Sequence, residues 1–211
     1  MNSLISRLFF SLLALSFANS ALAEFADIQR LYRKPPNLYQ FEICQSGGCA
    51  KVSPLILNRS DWHPIDTLFL QPTLSAEQER GKISEAIGIF ENIVGHKVDT
   101  FSDRAGTFGN SDYSGQQDCN DEAINTTTYM RMLKQAGYIQ FHEIEDMRTR
   151  NFFFDGWPHT TAVIHEVDTG ERYAVDSWFY DNGHAATIIP FQVWKEDYFP
   201  EDSPLVKSRK D

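Results

Sequence analysis

Residues 118–137 read DCNDEAINTTTYMRMLKQAG, and the layout of the remaining elements follows from this stretch. Its pattern predicts a helix that runs to about Ala136, because Asp118 can cap the start and Gly137 stands just past the end. The side chains expected to face a core recur at helical spacing and are Ala123, Ile124, Thr127, Met130 and Leu133. Cys119 therefore lies in the first turn, where unpaired backbone N–H groups lower the pKa of a thiol.

Strand patterns follow this helix. Thr160–Val167 and Arg172–Phe179 are rich in apolar and β-branched residues, and the turn sequence DTGE at 168–171 joins them. A further strand is predicted at Thr187–Val193, ahead of a charged tail. The first two of these strands should form an antiparallel hairpin.

The residues before the helix predict a second hairpin and a second helix. Leu38–Ile43 and Ala50–Leu57 are strand-like, whereas Ser75 begins a helical pattern for which Gly95 supplies the end. Residues 96–117 are rich in Gly, Ser, Asp and Asn and predict a long loop. This order of elements predicts the α+β class, with helices packed on one side of a mostly antiparallel sheet.

The first 23 residues have the features of a cleaved secretory signal: a positive charge at Arg7, an apolar run and an Ala-Leu-Ala ending. We therefore expect residues 24–211 to form one domain that is periplasmic or secreted. No later stretch has the roughly 20 apolar residues of a membrane helix, so no membrane insertion is expected. Without the signal the chain has 18 basic and 29 acidic residues, a balance that disfavours binding to nucleic acid.

The three cysteines of an exported chain cannot all pair within one molecule. Cys44 and Cys49 flank a four-residue turn sequence between the two upstream strands, so a disulfide between them is predicted to close that hairpin. Cys119 is left as the free thiol. It is then either a small buried apolar residue or a reactive group.

Cys119, His159 and Asp176 have the residue types and the order of a cysteine-hydrolase triad. Cys119 would be the nucleophile, and His159, which follows Trp157-Pro158 at the start of a strand, would be its base. Asp176 would hold the imidazole in the correct tautomer.

The strand register decides whether the aspartate can reach the histidine. A two-residue turn would pair Asp176 with Val163 and leave His159 about 13 Å away. Either a bulge, an offset register or a bend closes this gap, or Asp181 or Asn182 orients the histidine instead.

The oxygen that becomes negative when a thiolate attacks a carbonyl needs hydrogen-bond donors. The N–H groups at the start of the helix are one source, and the side-chain amides of Gln116 and Gln117 just upstream are another. The sequence does not distinguish between the two glutamines.

Three blocks of this sequence resemble the bacterial transglutaminase-like cysteine proteinases, a group within the transglutaminase-like branch of the papain-like fold. The blocks are QDCNDEA at 117–123, PHTTAVI at 158–164 and YAVD at 173–176. The resemblance implies a papain-like architecture in which the nucleophile stands at a helix N-terminus against an antiparallel sheet. It also implies a periplasmic enzyme that acts on amide bonds of a protein or peptide substrate, with the triad assigned above.

Some proteinases of this family need calcium, held by acidic residues beside the cysteine. Asp118, Asp121 and Glu122 are the candidate ligands here, although Asn120 stands where a second acidic ligand would be expected. Carboxylates beside a thiolate raise its pKa unless a cation offsets them. The same acids are also explained as first-turn residues that favour the helix dipole, so no cofactor is required and calcium is a hypothesis.

Together these residues predict an exported cysteine hydrolase that forms an acyl-enzyme at Cys119 and releases it with water. The same groups would make a transglutaminase if an amine replaced the water. A third hypothesis is a catalytically inactive module that binds a partner in an aromatic-rimmed groove, since such a module does not need a reactive Cys119. No oligomeric state is predicted.

Overall fold

The computed structural model describes residues 32–108, 114–150 and 158–205. Contacts divide the chain into two compact units, residues 1–34 and 35–211, and every element described below belongs to the second unit. Only residues 32–34 of the first unit are among those described. The predicted signal at 1–23 and Trp157 lie outside the described residues.

The first hairpin pairs β1 (Gln40–Gln45) with β2 (Lys51–Ile56) in an antiparallel register. The predicted disulfide between Cys44 and Cys49 is confirmed and closes the connecting turn. Ser46 and Cys49, which are not glycines, have positive φ angles of 73° and 61°, as do the two glycines between them. The disulfide constrains a turn that such residues adopt at a cost.

Two helices follow this hairpin. Helix α1 (Arg59–Leu68) was not predicted, although Asn58 and Asp61 form a reciprocal capping box at its start. Helix α2 (Ala76–Val98) begins after its cap Ser75, as predicted, but it continues through Gly95 to Val98, and Asp99 is its C-cap. The predicted stop at Gly95 is therefore wrong: a Cβ there would lie 3.0 Å from the backbone of Phe101, so the glycine provides space rather than a helix end.

Helix α3 (Cys119–Gln135) confirms the prediction for residues 118–137. Asp118 is the N-cap and its side chain accepts from the backbone N–H groups of Asn120 and Asp121. The predicted core-facing residues, Ala123, Ile124, Thr127, Met130 and Leu133, are all buried.

The main sheet of the described residues has four antiparallel strands in the order β3, β4, β5, β6. Their bounds are His142–Arg150, His159–Glu166, Arg172–Asp176 and Thr187–Pro190. Strand β3 was not predicted, because its sequence HEIEDMRTR carries charge on both faces. Strands β5 and β6 end earlier than predicted, and helix α4 (Phe191–Lys195) begins directly after Pro190.

The hairpin between β4 and β5 has an offset register. Ala162 pairs with Val175 and Val163 pairs with Ala174, so the pairing of Val163 with Asp176 expected from a two-residue turn is wrong. A four-residue connection replaces that turn: Gly170 donates to the carbonyl of Glu166 at 2.8 Å and has a φ of 71°. The offset moves β5 two residues along β4, toward His159.

A buried polar network fixes α2 to the sheet. Glu79 of α2 pairs with His142 of β3, with 2.8 Å between Oε1 and Nδ1. Arg80 lies 3.1 Å from His142 Nε2, and Glu79 also accepts from the backbone N–H groups of Gln140 and Phe141. Burial works to raise the pKa of Glu79, but these hydrogen bonds, led by that of His142, lower it below its ordinary value.

Helix α3 packs on β3, β4, β5 and β1, and α2 packs on α3. The main apolar core lies among these elements. A smaller cluster at the start of α3 contains Cys119, Ala174, Trp178, Phe179 and Trp194. The α+β class with antiparallel sheets is confirmed, and in the described ranges no helix is long and apolar enough to span a membrane.

Candidate functional site

His159 and Asp176 form a buried pair. His159 opens β4 and Asp176 closes β5, and the offset register allows 2.7 Å between His159 Nε2 and Asp176 Oδ2. A carboxylate only accepts, so Nε2 carries the proton and Nδ1 is the basic nitrogen. Nδ1 is buried and has no hydrogen-bond partner among the residues that the structure describes. The imidazole is therefore held in one tautomer with its acceptor nitrogen unused.

Cys119, the predicted nucleophile, is the first residue of α3 and is 6% exposed. It shares an aromatic cluster with Trp178 and Trp194, whose rings lie 4.5 Å and 5.7 Å from the ring of His159. The backbone N–H of Thr160, the residue after His159, hydrogen-bonds the thiol. The structure thus brings the three predicted residues of the triad into one small region.

The pKa of the Cys119 thiol is opposite in direction to that expected at a helix start. Burial, which is the largest cause, and the charges of Asp118 and Asp176 together raise it to about 12, against the lowering effect of the hydrogen bond from the backbone of Thr160. Desolvation of the sulfur raises the pKa more than the backbone N–H groups lower it, because aromatic rings enclose the site. The thiol is protonated at neutral pH in this conformation.

Each predicted oxyanion glutamine already uses its side-chain amide in a hydrogen bond to a backbone carbonyl. Gln116 accepts from the N–H of Arg104 and the hydroxyl of Thr107, and its amide nitrogen donates to the carbonyl of Ser102 at 2.9 Å. Gln117 donates to the carbonyl of Cys44 at 2.9 Å. Both side chains hold the loop before α3 in place, and the role of either amide in binding an oxyanion stays a prediction.

The carboxylates beside the cysteine bind the disulfide turn. Asp121 accepts from the N–H groups of Gly47 at 2.7 Å and Cys49 at 2.6 Å, and Asp118 accepts from Gly48 at 2.9 Å. The left-handed backbone of the turn points successive N–H groups at these oxygens. Neither the calcium hypothesis nor the helix-dipole explanation of these acids included this contact with the turn.

The predicted calcium ligands do not fit a cation in this arrangement. Asp118 and Asp121 use their oxygens on backbone N–H groups, and Glu122 accepts from the hydroxyl of Ser177 instead of facing them. Within the described ranges, the one group of three ligand atoms close enough for a metal combines Asp121 with the two sulfurs of the disulfide. Disulfide sulfurs are not thiolates, so that group is not a metal site either.

Three buried carboxyl groups interact with one another nearby. They belong to Glu91 of α2, Asp103 of the following loop and Glu122 of α3. Glu122 accepts from Ser177, the residue after the triad aspartate, and Glu91 accepts from the N–H of Gly183 at 3.0 Å. Burial is the largest cause that raises the pKa of each of these acids, that of Asp103 to about 9. The charge of Glu122 raises the pKa of Glu91 and Asp103 further, whereas hydrogen bonds with Ser177, Asp103 and Glu91 lower that of Glu122. Sequence reasoning missed this cluster, because its members lie in three separate segments of the chain.

Asp181, the alternative orienting acid, accepts instead from the backbone N–H of Ala105 at 2.9 Å. A second donor to Asp176 was missed: the indole N–H of Trp194 lies 2.7 Å from the same Oδ2. Trp194 belongs to the small aromatic cluster at the start of α3. No local pattern of the sequence links it to Asp176.

Comparisons of the chain with protein-family models, with curated proteins and with solved structures found no match. The functional argument therefore rests on the geometry of the site.

Proposed function

We propose that this chain is a cysteine hydrolase that cleaves amide bonds through an acyl-enzyme. One observation carries the proposal: Asp176 fixes His159 through Nε2, which leaves Nδ1 buried and without a partner in the region that holds Cys119. A buried unsatisfied nitrogen costs free energy. In this proposal the cost is accounted for by the function, because Nδ1 must be free to accept a proton.

His159 acts as a general base in this mechanism, because the thiol of Cys119 is protonated at rest. As Sγ attacks the carbonyl carbon, Nδ1 takes the thiol proton. The C–N bond then breaks, and the imidazolium returns that proton to the leaving amine. Water attacks the thioester, gives one proton to Nδ1 and releases the acid, after which the proton returns to sulfur.

The oxyanion formed in the first step needs donors other than the two glutamines. The backbone N–H of Cys119 is the first of α3 and has no acceptor within the helix. This N–H also lowers the pKa of its own thiol through a hydrogen bond, so it lies beside the attacking sulfur. In this proposal it supplies the main donor.

The substrate class is a protein or peptide, by the family resemblance of residues 117–123, 158–164 and 173–176. We place the chain in the transglutaminase-like branch of the papain-like fold and outside the reducing cytosol, and the disulfide supports the latter. No step of the reaction passes through calcium. The competing hypothesis of an inactive binding module is favoured by one observation, the raised pKa of a buried thiol.

An active-ester probe separates these hypotheses. Incubation with p-nitrophenyl acetate should release one equivalent of nitrophenolate per chain in a burst, and intact mass should place one acetyl group on Cys119. The Cys119→Ala variant is the matched control, because Cys44 and Cys49 are joined in the disulfide. Added amines that capture the acetyl group faster than water would indicate a transferase. Acetylation of Cys119 no faster than that of a denatured chain would rule out the enzyme.

A further inference from the structure

We propose that Trp194 is a positioning residue for the triad, which it serves by holding Asp176 through its indole N–H. The inference rests on the proposed function for its catalytic consequence. The contact itself is independent of that function: Trp194 Nε1 lies 2.7 Å from Asp176 Oδ2, and both side chains are buried.

Two donors converge on one oxygen of this carboxylate. His159 Nε2 approaches Oδ2 from β4, and Trp194 Nε1 approaches the same atom from α4, each at 2.7 Å. A single donor would leave the carboxylate free to rotate about its side-chain bonds, whereas two donors from different elements fix its plane. The position of the imidazole, and so the direction of Nδ1, is then determined by α4 as well as by the sheet.

Two neighbouring side chains fix the position of Trp194. The guanidinium of Arg150, at the end of β3, lies 4.7 Å from the centre of the Trp194 ring and donates to its backbone carbonyl. Phe191 stacks on the same ring at 5.6 Å. An apolar role alone would need only the ring, but a buried indole N–H must also find an acceptor. Here the acceptor is the oxygen that orients the histidine.

Trp62 provides a matched comparison within the same fold. It is also buried, and its indole N–H donates to the backbone carbonyl of Leu38 at 2.9 Å. Replacing either tryptophan with phenylalanine keeps an aromatic ring and removes one indole donor. Trp62→Phe therefore reproduces the packing and stability cost without touching Asp176.

The test measures the tautomer of His159 by ¹⁵N NMR and the rate of Cys119 alkylation by iodoacetamide across pH. In wild type, Nε2 should carry the proton. Trp194→Phe should give a mixture of tautomers and slow alkylation near pH 7 by about tenfold, the effect of losing a hydrogen bond to a charged acceptor. Trp62→Phe should change neither readout.

The outcomes separate this inference from the proposed function. If alkylation responds to His159→Ala but neither readout responds to Trp194→Phe, the function stands and the positioning role is wrong. If the tautomer responds to Trp194→Phe while alkylation ignores both variants, the positioning role stands and Cys119 is not paired with His159.

A second measurement covers failure of Trp194→Phe to fold. The indole N–H resonance of Trp194 should move in Asp176→Asn, whereas that of Trp62 should stay in place. An unmoved Trp194 resonance would overturn the inference.

Discussion

Two buried histidine–carboxylate pairs in this molecule differ in how many ring nitrogens they use. In the pair of His142 and Glu79, Nδ1 meets the carboxylate and Nε2 meets Arg80, so both nitrogens have partners. In the pair of His159 and Asp176, Nε2 meets the carboxylate, whereas Nδ1 has no partner within the described part of the chain. The difference indicates that the first pair holds α2 to the sheet, whereas the second keeps one nitrogen available to accept a proton.

Removing each imidazole tests this comparison most severely. His159→Ala should slow the nitrophenyl acetate burst by about a thousandfold, because the general base is lost. His142→Ala should leave the burst rate of the folded chain unchanged but destabilise it by about 3 kcal/mol, since Glu79 stays buried without the imidazole. Stopped-flow absorbance gives the burst and urea unfolding gives the stability. Loss of the burst in a folded His142→Ala chain would erase the distinction.

Exchanging each carboxylate for its amide isolates its charge. Asp176→Asn should slow the burst by about a hundredfold, because an amide nitrogen facing Nε2 favours the wrong tautomer. Glu79→Gln should keep the burst and cost about 2 kcal/mol at pH 7. The lowered pKa of Glu79 means that its contribution is present above about pH 4.3 and is lost as the pH falls through the folded value. The urea midpoints of wild type and Glu79→Gln, measured between about pH 3 and 7, should thus converge at the acidic end. A constant difference between the two midpoints over this range would show that Glu79 is not ionised in the native state.

The buried carboxyl cluster extends this comparison to acids that do not pair with an imidazole among the described residues. The pKa of Asp103 is raised to about 9, so its stabilising effect is complete below about pH 4 and is lost as the pH rises toward 9. Between pH 5 and 8, wild type should lose about 2 kcal/mol more stability than Asp103→Asn. Parallel urea-unfolding series at several pH values measure this. Equal slopes would contradict protonation of Asp103 in the native protein.

The smallest effect on the rate of Cys119 alkylation is expected from the removal of calcium. Since Asp118 and Asp121 bind the disulfide turn, a chelator should leave the rate of Cys119 alkylation unchanged within about twofold. The measurement is the iodoacetamide rate before and after chelation, with calcium added back. A larger loss that calcium restores would show that the turn and a cation compete for these carboxylates.

Local signals predicted the start of α3 and the disulfide, because a cap, a helical period and a turn flanked by two cysteines act over a few residues. The pairing of His159 with Asp176 depended on a two-residue offset set by the connection at Gly170, so the sequence left Asp181 open as an alternative. Strand β3 was missed because it is an edge strand whose charged residues suit exposure.

The pKa of Cys119 was predicted in the wrong direction for a different reason. The sequence shows that the thiol begins a helix, but it does not show how completely aromatic rings enclose it. Burial is a property of the assembled fold. The role of Trp194 was out of reach for the same reason, since its acceptor comes from another strand.

The docking of the disulfide turn on α3 also has a consequence for the order of folding. The hydrogen bonds from Gly47 and Gly48 to Asp121 and Asp118 join residues 74 and 70 positions apart. Closing a loop of that length costs entropy before any contact repays it. The start of α3 can form locally through its own cap, but the complete surroundings of Cys119 require this long-range closure. An oxidised hairpin enters that step with its N–H groups already aligned. The disulfide between Cys44 and Cys49 should therefore form before the surroundings of Cys119 are complete.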